Sequence, residues 1–310
     1  MRTLKGLSVV LVLLMLLCFV GCHDVTEDVP SVDSTTSVVS KVEEPDMGKS
    51  IKILAIGNSF SVDGMHYLWE ILDNAGYTEI ILGNLYIGGC PITKHWNNIK
   101  GDKAAYVYYK NTYGKWKTTE NTAISFAISE HDWDIITLQQ NSANSGKPST
   151  YGDVDKVFGY IKEQQPDAKI YWHMTWAYQQ DRKSNDFAYY GSKQLNMYNA
   201  IVSTVTERIV NNDYVDGIIP CGTAIQNLRS SYIGDILTRD GYHLSFSYGR
   251  YIGAMTWYAA LTGGDVDLID WCPEEYPEIS GDLDVIRQSV KDAIKKPLEV
   301  TEQKTTKTES

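Results

Sequence analysis

The sequence predicts an α/β domain with a mainly parallel sheet of five strands and an inserted β-hairpin. Three observations support this fold class. Short apolar runs of strand length alternate with longer segments in which apolar residues recur at helical spacing. The first run, residues 51–56, stops at Gly57, as expected of a buried strand that ends in a sharp turn. The alternation continues to Leu261, which is typical of a parallel sheet covered by helices.

Each further element is predicted from its own pattern. Residues 63–75 predict a helix, because apolar residues recur at helical intervals and Gly76 follows as a C-cap would. Residues 79–87 predict a second strand, which completes a βαβ unit. Further strands are predicted over 134–139, 169–176 and 216–220, and further helices over 154–165, 192–210 and 248–261.

Residues 97–122 interrupt this alternation. Tyrosine and tryptophan residues crowd around Asn111 and Gly114 in a segment that is too irregular for a helix. We interpret this segment as the inserted β-hairpin. The last residues, 295–310, are polar and repeat lysine and threonine, so we expect a disordered tail there. The folded domain is therefore placed at residues 50–294.

The N-terminus predicts a processing signal, residues 1–21. Arg2 and Lys5 precede an apolar run that is too short to favour a membrane-spanning helix. The run ends in Gly21 and Cys22, which resembles a bacterial lipoprotein signal, where the cysteine is lipidated and becomes the first mature residue. A plain secretory signal cleaved nearby is the alternative interpretation.

The segment 22–49 predicts a disordered acidic tether, because it is rich in Asp and Glu and shows no helical period. With Cys22 lipidated, we expect an extracytoplasmic protein, anchored to a bacterial outer membrane through its N-terminal lipid only. The protein could then face the periplasm or the cell surface, since the sequence is consistent with both locations.

Charge and cysteine usage exclude other partners. The formal net charge of -11 over 310 residues, without clustered Lys and Arg, argues against nucleic acid. Three cysteines remain after processing (Cys90, Cys221 and Cys272), and their spacing resembles no metal clip. We therefore expect neither a metal nor a cofactor in the site.

A serine follows the first predicted strand and is a candidate nucleophile. Ser59 lies at the carboxyl end of that strand, which is where ligands bind in open α/β sheets. The alternative is that Asn58, Ser59 or Ser61 only caps the next helix. A serine nucleophile needs a histidine base and an acid that orients the base.

Two segments share the pattern Asp-Gly-x-His. Asp63 precedes His66 where the first helix is predicted to begin, so Asp63 is expected to act as an N-cap. Asp240 precedes His243 in a turn between the last strand and the last helix, at the same sheet edge as Ser59. We therefore predict that Asp240 and His243 are the partners of Ser59.

These blocks resemble the SGNH hydrolases, also called the GDSL type, and most closely a group of SGNH-like secreted lipoproteins of Bacteroidetes. The matching segments, in chain order, are Gly57-Asn58-Ser59-Phe60-Ser61, Asn84 to Gly89, Gln139-Gln140-Asn141-Ser142 and Asp240-Gly241-Tyr242-His243. The first block differs from the usual Gly-Asp-Ser-Leu at Asn58, and the third differs from Gly-x-Asn-Asp at Gln139 and Ser142.

The resemblance implies a three-layer, flavodoxin-like fold and a serine hydrolase. It implies Ser59, His243 and Asp240 as catalytic residues, with an oxyanion hole formed by the backbone N–H groups of Ser59 and Gly89 and by the side chain of Asn141. Together with the aromatic content and the envelope address, it implies an esterase that removes acetyl or similar acyl groups from a carbohydrate partner.

Other assignments stay open at this stage. Trp176 and Tyr178 follow the fourth strand and are expected to bind substrate, and His173 either approaches the site or is a buried strand histidine. The alternative functions are a noncatalytic glycan-binding lipoprotein on the same fold and a lipase or thioesterase of the same superfamily. A lipase would need a long apolar groove.

Overall fold

Residues 48–307, the part of the chain that the computed structural model describes, fold around a mixed sheet of seven strands. The strands are β1 (Lys49–Gly57), β2 (Tyr77–Tyr86), β3 (Tyr106–Asn111), β4 (Trp116–Thr122), β5 (Ile135–Leu138), β6 (Lys169–His173) and β7 (Gly217–Ile219). Their order across the sheet is β4-β3-β2-β1-β5-β6-β7. The five strands from β2 to β7 in that order are parallel, and β3 and β4 run antiparallel.

The parallel strands follow a flavodoxin-like order, because the second strand lies outside the first and the remaining three follow on its other side. The predicted fold class is therefore confirmed. The predicted count of five strands is too low for the whole sheet, because the two hairpin strands pair with β2 and extend the same sheet. The order in which successive parallel strands are added reverses beside β1, because β2 lies on one side of β1 and β5 on the other. In such folds the crevice at that point binds ligands.

Two helical layers cover the sheet. The helices are α1 (Ser59–Gly64), α2 (Leu68–Asn74), α3 (Ile92–Lys100), α4 (Ile124–Ile128), α5 (Val154–Gln164), α6 (Asn185–Ala188), α7 (Gln194–Arg208), α8 (Cys221–Arg229), α9 (Tyr248–Thr262) and α10 (Leu283–Lys295). In one layer α9 packs against α1, α2, α8 and α10, and in the other α3 packs against α4 and α5. Residues Ile53, Leu54 and Ala55 of the central strand β1 are fully buried between these layers.

The first helix begins earlier than the sequence predicts. Asn58 has extended backbone and its side chain accepts a hydrogen bond from the Phe60 N–H at 3.0 Å, so Asn58 caps α1 and Ser59 is its first residue. The predicted helix 63–75 is thus the end of α1 followed by α2. Asp63 lies in the last turn of α1, and its predicted role as an N-cap is wrong.

The chain after α9 is more ordered than predicted. Residues 296–307 run along α8, where the Thr301 N–H donates to Asn227 Oδ1 at 2.8 Å and the Gln303 N–H donates to Ser230 Oγ at 2.9 Å. Leu298 also packs against the core. The predicted disordered tail is therefore corrected over these residues, because hydrogen bonds from their backbone to the side chains of Asn227 and Ser230, together with the packing of Leu298, outweigh their polar composition.

The predicted signal 1–21, the lipidated Cys22 and nearly all of the tether 22–49 lie outside the described residues. Within residues 48–307, no helix is both long enough and apolar enough to cross a membrane.

Candidate active site

The carboxyl ends of β1, β2 and β5 meet a loop that precedes α9. Ser59 follows β1, Gly89 follows β2 and Asn141 follows β5. Residues 239–243 meet this edge, where His243 contacts Ser59. A cleft of about 490 Å³ opens between them, and Ser59, Gly89 and His243 line it.

Ser59, His243 and Asp240 form a chain of hydrogen bonds. The Ser59 hydroxyl lies 2.8 Å from His243 Nε2, and His243 Nδ1 lies 2.6 Å from Asp240 Oδ2. An ionised carboxylate only accepts hydrogen bonds, so His243 carries its proton on Nδ1 and its Nε2 accepts from the Ser59 hydroxyl. This tautomer is the one that can take a proton from serine.

Asp240 is held as an ionised acceptor. Burial raises the pKa of Asp240, but hydrogen bonds from the His243 ring and from the backbone N–H groups of His243 and Tyr242 outweigh burial, so the pKa lies below its usual range. Those two N–H groups donate to Asp240 Oδ1 at 2.8 and 3.2 Å. Gly241 makes this tight loop possible because its φ of +88° lies in the left-handed region.

The other Asp-Gly-x-His copy supports the same loop. Asp63 is fully buried, and its carboxylate binds Arg239, Arg250 and the backbone N–H of Leu244, the last at 2.9 Å. His66 lies between α1 and α2, and burial together with Arg250 and Arg239 lowers its pKa to about 4. The structure thus brings Asp240 and His243 to Ser59, and gives Asp63 a buried anchoring contact with the loop.

Two of the three predicted oxyanion donors are backbone groups at the cleft. Ser59 is the first residue of α1, so its N–H has no partner within the helix. Gly89 has a φ of +59°. Asn141 Nδ2 donates one hydrogen to the Gly89 carbonyl at 3.2 Å, which fixes the amide beside Gly89 and leaves its second hydrogen for another acceptor.

Gln139, which departs from the family pattern, makes a buried relay behind the serine. Gln139 Nε2 donates to Asn58 Oδ1 at 2.8 Å, and the same oxygen caps α1. Gln139 Oε1 lies 2.7 Å from His173 Nδ1. Burial lowers the pKa of His173 to about 3, so its ring is neutral and donates through Nδ1. Asn58 also donates to the Cys90 carbonyl at 3.3 Å, which ties the end of β1 to the turn after β2.

The predicted substrate-binding residues Trp176 and Tyr178 are corrected by the structure. Trp176 is fully buried, stacks on Phe60 at 4.1 Å between ring centroids, and donates to the Tyr242 carbonyl at 2.7 Å. Tyr178 is also buried, and its hydroxyl contacts Ser142 Oγ at 2.9 Å. Both rings therefore support the site from beneath.

Other side chains, to which the sequence analysis assigned no role, form the cleft surface. They are Val62, Tyr86, Tyr109, Tyr242, Arg239 and Arg250. One signal for Arg239 was available, because it directly precedes the Asp240 motif. Within residues 48–307, no group of three or more His, Cys, Asp or Glu side chains is arranged to hold a metal ion.

The strand order and the chain of Ser59, His243 and Asp240 define an SGNH-like α/β protein. Within that class, the chain belongs to the DUF4886 family, described as a domain of unknown function, whose sequence profile matches residues 52–293. A DUF4886 protein from Bacteroides uniformis is 38% identical, with a TM-score of 0.78, and the alignment covers 82% of this chain and 98% of that chain.

More distant likenesses are also found. A Slackia heliotrinireducens protein, described provisionally as an SGNH hydrolase, is 16% identical with a TM-score of 0.45, covering 69% of this chain and 100% of that chain. An acetyl xylan esterase, AlAXEase, is 18% identical with a TM-score of 0.39, covering 67% of this chain and 99% of that chain. No curated protein matches the sequence.

Proposed function

We propose that the protein is a serine esterase that removes acetyl or similar acyl groups from a carbohydrate. The observation that carries the proposal is the contact of 2.8 Å between the Ser59 hydroxyl and His243 Nε2, with Asp240 behind the imidazole. A serine is a weak nucleophile unless a base takes its proton, and this arrangement supplies that base.

In the first half of the proposed reaction, Ser59 Oγ attacks the ester carbonyl carbon while its proton passes to His243 Nε2. The carbonyl oxygen becomes an oxyanion. The C–O bond to the sugar then breaks, and the sugar oxygen takes the proton from His243 as it leaves. An acyl group remains on Ser59. Asp240 stabilises the imidazolium that forms during these steps, as it accepts from His243 Nδ1.

In the second half, His243 takes a proton from water, and the hydroxide oxygen attacks the acyl carbon. The bond between that carbon and Ser59 Oγ breaks, and the serine recovers its proton from His243. The carboxylic acid leaves the cleft. Because each half returns His243 to its starting tautomer, the chain of hydrogen bonds is ready for another turnover.

The backbone N–H groups of Ser59 and Gly89 and the Asn141 amide are proposed to stabilise the oxyanion. One such donor typically contributes about 10²–10³ in rate. Asn141 has one hydrogen committed to the Gly89 carbonyl, so its amide is already oriented before substrate binds. Gly89 has no side chain that could block the approach of the oxyanion to its N–H group.

The residues that line the cleft favour a sugar over a long acyl chain as the bound part of the substrate. Arg239, Arg250, Tyr86, Tyr109 and Tyr242 line it, and tyrosine rings offer flat faces with polar edges. A lipase or thioesterase would need an extended apolar groove, which this lining does not supply. The alternative of a noncatalytic glycan-binding role was based on the altered third block. Gln139 of that block bonds Asn58 and His173, so the altered residue supports the serine and is no sign that catalysis is lost.

The cellular address is part of the proposal and rests on the sequence. Cleavage before Cys22 and lipidation of its thiol would place the enzyme on a bacterial outer membrane, with the predicted tether, residues 22–49, as a spacer. Membrane fractionation tests this address. Wild-type protein should sediment with membranes and Cys22→Ser should be released, whereas a wild-type protein found soluble and unlipidated by mass spectrometry would contradict it.

Turnover of a series of 4-nitrophenyl esters tests the reaction. The full chain should hydrolyse the acetyl ester and lose kcat/KM steadily as the acyl chain lengthens from two carbons to twelve. Absence of acetyl ester hydrolysis would favour the noncatalytic alternative. A maximum at long chains would favour the lipase or thioesterase alternative.

A further inference from the structure

Two arginines lie in the cleft with Ser59 and share one carboxylate. Asp63 Oδ1 accepts from Arg250 Nε at 2.9 Å and from Arg239 Nη1 at 3.1 Å, and Asp63 Oδ2 lies 3.2 Å from the same Arg239 nitrogen. Among the described residues that line the cleft, Asp63 is the only carboxylate. Two arginines therefore meet one carboxylate on the cleft surface, while the Asp240 carboxylate lies behind the His243 ring and does not line the cleft.

This excess is unusual for the chain, whose formal net charge is -11. A single arginine would be enough to neutralise buried Asp63. The second one costs free energy, because it leaves an uncompensated charge in a partly desolvated place. An anion supplied from outside would remove that cost.

Arg239 offers a free edge to such an anion. Only its Nη1 donates, to Asp63 and to the Leu244 carbonyl, and among residues 48–307 nothing accepts from its Nε or Nη2. Its side chain is 29% exposed, against 8% for Arg250. The guanidinium lies 5.0 Å from the centroid of the Phe246 ring, so it is held in place before a ligand arrives.

Arg239 and the reacting serine line the same cleft. Ser59 and Asp63 are four residues apart on α1, which is about one helical turn, or about 6 Å along the axis. Because Arg239 and Ser59 line the same cleft of about 490 Å³, an anion bound by Arg239 and an acyl carbon at Ser59 would occupy that one cleft. The Nε and Nη2 donors are parallel, a geometry that fits the two oxygens of a carboxylate.

We propose that the acylated sugar carries a carboxylate that binds Arg239, so that the substrate is an ester of an acidic carbohydrate. This inference rests on the proposed esterase function. It adds a specificity-determining residue, since Arg239 would discriminate between acidic and neutral sugars while Ser59 performs the same attack on both.

The test compares two acetylated monosaccharides that differ only in this group: an O-acetylated methyl glucuronoside and the corresponding O-acetylated methyl glucoside. For the wild-type full chain, kcat/KM should be about tenfold or more higher for the acidic sugar, the size expected of a charge-assisted pair. The preference should shrink in 0.5 M NaCl, because salt screens exposed charges. Equal kcat/KM for the two sugars would overturn the proposal.

Arg239→Gln should lower the ratio to within about threefold of one. The ratio is the proper readout because Arg239 also holds the loop of His243, and any damage to that loop affects both sugars alike. Arg182→Gln is the matched control: Arg182 bonds the Asp240 carbonyl at 2.9 Å and does not line the cleft, so the preference should persist. A preference that Arg239→Gln retains would contradict the assignment, and so would a preference that Arg182→Gln loses.

Direct binding separates this proposal from the esterase proposal. Ser59→Ala should bind methyl glucuronoside about tenfold or more tightly than methyl glucoside in a calorimetric titration, whether or not the wild-type protein turns over either ester. Equal or undetectable binding of both sugars would overturn the acidic subsite. Tight binding without turnover would overturn only the esterase.

Discussion

The Asp63 carboxylate and the Leu244 backbone N–H, 2.9 Å apart, join α1 to the loop of His243. Ser59 lies on the same helix, so this contact fixes the serine and the histidine relative to one another. The two Asp-Gly-x-His copies therefore belong to one structure, in which the first anchors the second.

Loss of the Asp63 charge should disturb both stability and turnover. Asp63→Asn leaves Arg250, which is almost fully buried, without its carboxylate, and breaking such a pair typically costs about 3–5 kcal/mol. The free energy of unfolding in urea should fall by that order, and kcat should fall in the fraction that stays folded. An unchanged unfolding midpoint would contradict the anchoring role.

The two histidines of the repeated motif should behave oppositely. His243→Ala removes the proposed base and should lower kcat by several orders of magnitude while the protein stays folded. His66→Ala should keep most of its turnover, because His66 lies between α1 and α2 and does not line the cleft of Ser59. Turnover of 4-nitrophenyl acetate and far-UV circular dichroism check both variants. A dead His66→Ala beside an active His243→Ala would reverse the assignment.

Gln139 should act as a positioning residue through Asn58. Gln139→Ala leaves buried His173 Nδ1 without an acceptor and removes a hydrogen bond from the Asn58 cap, which costs about 1–3 kcal/mol. Because Gln139 lies behind the serine, kcat should fall while KM changes little. A change confined to KM would show instead that Gln139 contacts substrate.

Buried histidines should make the protein less stable in mild acid. Burial lowers the pKa of His95 and of His173 to about 3, so both stay neutral in the fold, while in the unfolded chain they bind protons below about 6.5. Stability is thus fully present above that pH and is lost as the pH falls, by about 1.4 kcal/mol per pH unit for each histidine.

Urea unfolding at pH 7.5 and pH 5.5 measures this loss. His95 does not line the cleft of Ser59. Between the two conditions, the free energy of unfolding of His95→Gln should fall by about 1.4 kcal/mol less than that of the wild type. An identical loss in wild type and His95→Gln would mean that His95 does not titrate between the folded and unfolded states.

Much of the fold follows from local patterns. Apolar runs located all five parallel strands. The pattern is clearest for a central strand such as β5, where all four residues are buried and no polar residue interrupts the run except Thr137. Helix α8 was missed for a physical reason: all nine of its residues are buried, including the polar residues Gln226, Asn227 and Arg229, so it has no solvent-exposed face of the kind that marks a surface helix.

The site was predictable only where chemistry and position coincide. Ser59, Asp240 and His243 were singled out because serine nucleophiles need these partners and the strand count put them at one edge. Trp176 and Tyr178 occupy the same edge in sequence, and nothing in a sequence shows that their rings point inward. The anchoring role of Asp63 depends on arginines more than 170 residues away, which no local pattern reveals.

Labelling with a fluorophosphonate probe tests the central claim most directly, since the probe reacts with activated serines. Ser61 is the matched control: it lies on the same helix, but its hydroxyl is buried and donates to the Asn58 carbonyl at 2.8 Å. Wild type and Ser61→Ala should each gain one adduct on Ser59, found by peptide mass spectrometry, and Ser59→Ala should gain none. An unlabelled wild-type protein, or an adduct that persists in Ser59→Ala, would contradict the claim that Ser59 is the nucleophile.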